Sequence, residues 1–130
     1  MFKYSRKKIA ANVEREVLRL IWDFGYAALR VAGSGSSSYP ASDLIARIGD
    51  ELYIIEVKST HSERIRINEE QQEQLSLLAD KFKAKILIVL KFFGKGIYCS
   101  ENLRTTYTMD DKDLIPFKLF LESKKTKKLA

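Results

Sequence analysis

The stretch Asp43-Leu44-Ile45-Ala46-Arg47-Ile48-Gly49-Asp50-Glu51-Leu52-Tyr53-Ile54-Ile55-Glu56-Val57-Lys58 reads as two apolar-rich strands joined by a tight turn. Gly49-Asp50 suits a two-residue hairpin loop with glycine at the first central position, where the backbone needs a positive φ. With that loop Ile48 pairs with Glu51. Counting back along both strands then brings Asp43 opposite Glu56, with Cβ atoms about 4.5 to 5.5 Å apart. A slip of one residue in the turn makes the pair diagonal. Side chains two apart in a strand share a face, so Glu56 and Lys58 project together and Val57 points into packing. Two carboxylates so placed repel. A hard divalent cation with oxygen ligands removes that repulsion, and without it at least one carboxyl is expected to hold its proton to unusually high pH.

Upstream, Val13, Val17, Leu20, Ile21 and Phe24 recur at helical spacing, which predicts an amphipathic helix from about Lys7 to Phe24 with Gly25 capping its end. Tyr26 to Ala32 follows as a strand. Gly33 to Pro40 is too rich in Gly and Ser for regular structure and delivers the chain to Asp43. Downstream come a short extended piece at Ile65-Arg66-Ile67 and a helix from about Asn68 to Lys83. Asn68 is its expected N-cap, and Glu69 and Glu70 lie in its first turn. Lys85 to Phe92 reads as a central strand and Ile97-Tyr98-Cys99 as a weaker one, across a turn at Gly94-Lys95-Gly96. A last helix is expected around Asp111 to Ser123, with Pro116 able to restrict it to a turn. This order predicts an α/β sandwich around a mixed central sheet of about five strands flanked by helices. One domain over 1–123 and a basic, disordered tail over 124–130 complete the expectation.

At 130 residues the chain can bury one core and leaves little room for a second domain. No stretch has the length of a membrane span, and the N-terminus lacks the apolar centre of a secretory signal, which predicts an intracellular, cytoplasmic protein. One cysteine, Cys99, and one histidine, His61, exclude an internal disulfide and a Cys/His zinc cluster. The net charge of +6 contains the acids Glu14, Asp43 and Glu56, which bound metal would neutralise. Lys3, Arg6, Lys7 and Lys8 at one end, with Lys124, Lys125, Lys127 and Lys128 at the other, would make salt-sensitive contacts to phosphates. Solubility alone also explains such a charge.

A strand ending in Glu-x-Lys is by itself usually a solvated strand end. The companions strengthen the pattern. Glu14 shares the spacing of Leu18 and Ile21 and so sits at the border of the first helix's buried face, where an acid needs a partner. Pairing with Arg15 or Lys7 at the surface is the simple alternative. Arg30 shares its strand face with Ala28 and Ala32, so an acid or a phosphate should hold it, and Glu14 is one such acid.

Four separated elements then carry a resemblance: Val13-Glu14-Arg15-Glu16, Arg30-Val31-Ala32-Gly33-Ser34-Gly35, Asp43, and Ile55-Glu56-Val57-Lys58. In order and spacing the chain resembles the archaeal Holliday junction resolvases, restriction-endonuclease-like nucleases with a Pro-Asp…(Asp/Glu)-x-Lys signature. Residues 7 to 58 carry most of it. Ser42 stands where the family has Pro, with Pro40 two residues earlier, a departure that touches the approach of the chain more than metal ligation. The resemblance implies that Glu14, Asp43, Glu56 and the Val57 carbonyl hold Mg²⁺, with Mn²⁺ as a substitute, and that Lys58 orients or helps deprotonate the attacking water. It implies a supporting role for Ser34, although a serine in a Gly/Ser loop is more simply a turn residue. It also places Arg15, Arg30 and Lys91 among positions that contact DNA or organise the site.

The implied activity is metal-dependent phosphodiester hydrolysis at a four-way DNA junction, by a homodimer whose two sites face opposing strands. Leu75, Leu78 and Phe82 suit either the dimer contact or packing on the chain's own sheet. The alternatives are a related nuclease acting on other branched, mismatched or specific duplex DNA, a non-catalytic DNA-binding module, and an inactive relative.

Overall fold

The computed structural model describes residues 5–31 and 39–125. Helix α1 (Arg6–Asp23) begins where the Ser5 hydroxyl accepts the Lys8 N–H, and it buries Val13, Val17 and Ile21. Strand β1 (Ala27–Arg30) is shorter than the sequence suggests; Val31 follows it with its N–H donating to Asp43 O, and Ala32 lies outside the described residues. Strands β2 (Leu44–Ile48) and β3 (Glu51–Thr60) form the expected hairpin, with Ile48 opposite Glu51. Gly49 has φ +65°, as the turn requires, and a Cβ there would lie 3.4 Å from Lys124.

Strand β4 (Arg64–Arg66) leads to helix α2 (Glu69–Phe82), whose N-cap Asn68 accepts the Gln71 N–H. Lys83 closes this helix in the left-handed conformation, φ 53°. Strands β5 (Lys85–Phe92) and β6 (Gly96–Ser100) follow as expected. The three-residue strand β7 (Thr106–Thr108), too short to show a period, was not expected; it pairs with β4. Pro116 decides the C-terminal end. Residues Ile115–Pro116 form β8 against β6, and helix α3 (Phe117–Ser123) starts only after the proline, so the predicted helix loses its first half.

The main sheet runs β1-β2-β3-β5-β6-β8, with β3 and β5 parallel and the other pairs antiparallel. It is the expected mixed sheet with one extra, two-residue edge strand. Alternation along β3 sorts its residues into two cores. Tyr53, Ile55 and Val57 face α1 and α3, where they meet Val17, Ile21, Phe117 and Leu121. Ile54 faces α2 and the β4–β7 pair, among Leu75, Ala79, Ile65 and Tyr107. The apolar stripe of α2 therefore divides: Leu75 is fully buried against its own sheet and Leu78 packs beside it, while Leu77 and Phe82 stay about half exposed. At the β1 edge, the Trp22 indole N–H donates to Ala28 O at 3.0 Å and occupies a carbonyl that an open edge would offer to another strand. No helix among the described residues is long and apolar enough to cross a membrane.

Candidate active site

Asp43 stands one residue before β2, held through its backbone: its N–H donates to Ile55 O at 3.1 Å, and its carbonyl accepts the Val31 N–H at 2.9 Å. Just before it, the buried Ser42 hydroxyl donates to Leu44 O at 2.9 Å, a local turn that guides the chain into β2. Extending the β2–β3 register by one step sets Asp43 across from Glu56, as the hairpin count predicts. The Asp43 side chain then carries the strand pairing beyond the end of β2, its Oδ2 accepting the Val57 N–H at 2.8 Å. The carbonyl of a strand residue points to the same side as its N–H, so Val57 O also faces Asp43, and no donor among the described residues meets it.

Glu56 shares this end of the sheet and is almost wholly buried. Its Oε2 accepts from Gln71 Nε2 at 2.6 Å and lies 3.7 Å from Lys58 Nζ. The Asn68 cap sets the first turn of α2 and with it the place of Gln71. Burial raises the Glu56 carboxyl to about 8, the neighbouring Asp43 charge pushes the same way, and Lys58 offsets part of this. Asp43 is raised to about 6, again first by burial; the Val57 N–H opposes, the Glu14 charge adds, and Lys58 opposes. The expected carboxyl pair that retains a proton near neutral pH is therefore present. Two hard carboxylates beside a free carbonyl form a donor set that fits a divalent cation such as Mg²⁺.

These groups lie in a cleft of about 920 Å³ between the N-terminal half of α1 and the start of α2, lined also by Arg6, Glu14, Gln74, Thr60, His61 and Phe93. Glu14 is on the cleft wall, but its Oε1 is bonded to Arg30 Nε at 2.8 Å, so Arg30 is held by the acid that the sequence offered it. Among the described residues no three His, Cys, Asp or Glu side chains converge closely enough to enclose a metal ion. Lys91 Nζ is bonded to Glu16 Oε1 at 2.7 Å, and Arg15 is exposed on α1. Ser34, Lys3, Lys127 and Lys128 lie outside the described residues. Lys124 and Lys125 are described, their ammonium groups 5.0 and 5.2 Å from the Phe120 and Phe24 ring centroids.

Gln71, Gln74, His61 and Phe93 were not singled out as site residues by the sequence. The i, i+3 spacing of the two glutamines put them on one helix face, but which way that face turned depended on packing.

The sequence model of the archaeal Holliday junction resolvases matches residues 5–129 of this chain. The chain belongs to that family. The crossover junction endodeoxyribonuclease Hjc of Archaeoglobus fulgidus is 36% identical over 85 residues, which are 65% of this chain and 62% of that protein. The enzyme of the same name from Methanocaldococcus jannaschii is 31% identical over 106 residues, 78% of this chain and 76% of its own. The solved structure of Archaeoglobus fulgidus Hjc, described as a Holliday junction resolvase from an archaeal hyperthermophile, superposes with a TM-score of 0.74 at 26% identity, covering 87% of this chain and 98% of that one. The chain thus has the family's fold across nearly the whole of that structure, while the sequence alignment spans under two thirds of the Archaeoglobus protein's length.

Proposed function

We propose that this protein is a metal-dependent endodeoxyribonuclease that cuts four-way DNA junctions, acting as a homodimer with one cleft for each of two opposing strands. The observation that carries the chemistry is the pairing of half-buried Asp43 with buried Glu56, beside which Lys58 is the one cation bonded among the described residues. The substrate follows from the family and from the names its relatives bear.

Asp43, Glu56 and Val57 O would hold Mg²⁺, with Glu14 on the wall as a third acid once Arg30 yields it. The ion would supply a water acidic enough to react at neutral pH and a positive charge for the phosphate oxygens in the transition state. Lys58, beside Glu56, would orient the attacking water or help to deprotonate it. Gln71 fixes the Glu56 rotamer through its 2.6 Å bond, and Asp43 is fixed by the Val57 N–H, so neither carboxylate has to reorganise as charge develops. Arg30, Lys91 and Arg15 supply phosphate contacts around the cleft, the first two after exchanging Glu14 and Glu16 for phosphate. The half-exposed Leu77 and Phe82 leave apolar surface on α2 for the second subunit.

The test is cleavage of a synthetic four-way junction, a fork and a plain duplex with and without Mg²⁺, alongside the mass in solution. Junction cleavage by a dimer, lost in Asp43→Asn, is expected. Equal cutting of all three DNAs would remove junction selectivity, and cutting without a divalent ion would remove the metal.

A further inference from the structure

One aromatic step at the mouth of the cleft has no part in the chemistry above. The parallel pairing of β3 with β5 ends at Thr60 and Phe92, and Phe93 N–H donates to Thr60 O at 3.0 Å. The next residue on each strand, His61 and Phe93, is thereby held side by side. Their rings stack with centroids 4.3 Å apart and planes 15° apart. Phe93 is half-buried and packs against the core on the α1 side, whereas His61 is exposed. Lys91 Nζ lies 5.1 Å from the Phe93 ring centroid. Both rings line the same cleft as Asp43, Glu56 and Lys58. His61 lies four residue steps along the strand from Val57, roughly 13 Å, or about four stacked base steps.

An exposed imidazole contributes little to the core. Laid flat on a supported phenyl ring beside a lysine, it presents an aromatic face to whatever enters the cleft. Nucleobases bind such faces by stacking, and His serves this purpose alongside Phe, Tyr and Trp. A base within an intact duplex already has both faces covered by its neighbours, whereas strand exchange at a branch interrupts that stack.

We propose that His61, backed by Phe93, stacks a nucleobase of the strand being cut, a few nucleotides from the scissile phosphate, and thereby favours branched DNA over duplex. This rests on the nuclease reading and adds the side chains that select the substrate. His61 is a specificity-determining residue here and takes no part in hydrolysis.

The test uses four-way junctions carrying a single 2-aminopurine at successive positions on either side of the mapped cut, bound in Ca²⁺ to read fluorescence and in Mg²⁺ to read cleavage. Wild type should quench the fluorophore at one or two positions. His61→Ala should abolish that quenching and lower kcat/KM on the junction about ten-fold, with residual duplex cutting unchanged, and His61→Phe should restore both. His61→Ala with wild-type quenching and wild-type junction preference would overturn the inference while leaving the nuclease reading intact. Slower cleavage with no change in quenching would make the residue merely structural and overturn it as well. A wild type that cuts no junction would fail the nuclease reading itself, and this inference with it.

Discussion

Two pairs of acids in this molecule have opposite fates. Asp111 and Asp113 close around Arg104, whose guanidinium forks onto Asp113 at 2.7 and 2.9 Å and reaches Asp111 at 2.8 Å. Asn102 and the Ser100 hydroxyl also donate to Asp113. Hydrogen bonds from Arg104 hold the Asp113 carboxyl well below the usual range, and the Thr108 N–H, then Arg104, lower Asp111. Asp43 and Glu56, by contrast, lie half-buried and buried, with one lysine 3.7 Å from Glu56, and both are raised. The chain completes the first pair with its own cation and thereby ties β7 to the approach to β8. Beside the second pair stands only Lys58 among the described residues, and the proposed cation site rests on that shortage of positive charge.

Breaking each pair should therefore give opposite results. The largest effect is on chemistry: Asp43→Asn or Glu56→Gln should lower junction cleavage by at least about 10³-fold while binding measured by gel shift stays within a few-fold, because a proposed metal ligand goes and no phosphate contact does. Undiminished cleavage in both variants would end the assignment.

Next comes pH. A carboxyl whose folded pKa is raised stabilises the fold below its unfolded value and loses that contribution as pH rises through the folded value. Metal-free protein should thus lose stability between about pH 4 and pH 8 through this pair. At pH 8 in a chelator, Asp43→Asn should be more stable than wild type by about 2 kcal/mol in urea titrations, and saturating Mg²⁺ should cancel the advantage.

Arg104→Ala should act in the other direction and cost about 1–2 kcal/mol, discounted because all three side chains are about a third exposed. The sign with pH also reverses. The lowered carboxyls of Asp111 and Asp113 stabilise above about pH 4 and lose that contribution as pH falls below it, so Asp113→Asn should flatten the acid limb of the stability curve. The smallest effect is expected from Glu16→Gln, which frees Lys91 and should tighten junction binding about two- to three-fold at low salt, with a steeper salt dependence.

The Asp43–Glu56 hairpin was legible in the sequence because a two-residue turn and a period of two leave almost no freedom: pairing Ile48 with Glu51 dictates every partner up to the acids. Strand β5 and the Asn68 cap were legible for similar local reasons. Glu14 was found as an acid on a buried border, but the sequence left its partner open between surface cations and Arg30, a choice that depends on how α1 crosses β1. Strand β7 and the Arg104 cluster were missed, since a three-residue strand has no periodicity and its pairing with β4 spans some forty positions. His61 looked unremarkable because its neighbour Phe93 lies on another strand.

By itself the sequence determined the order of the elements from α1 to β6, the register of the hairpin and the two acids facing across it, all set by turn geometry and side-chain periodicity over a few residues. Only the tertiary structure decided that Glu56 would be buried against Gln71, that Arg30 and Lys91 would rest on Glu14 and Glu16, and that an aromatic step would flank the cleft. Burial, pKa and ion pairing depend on which surfaces meet. Those meetings join elements distant in the chain, where no local pattern can specify the partner.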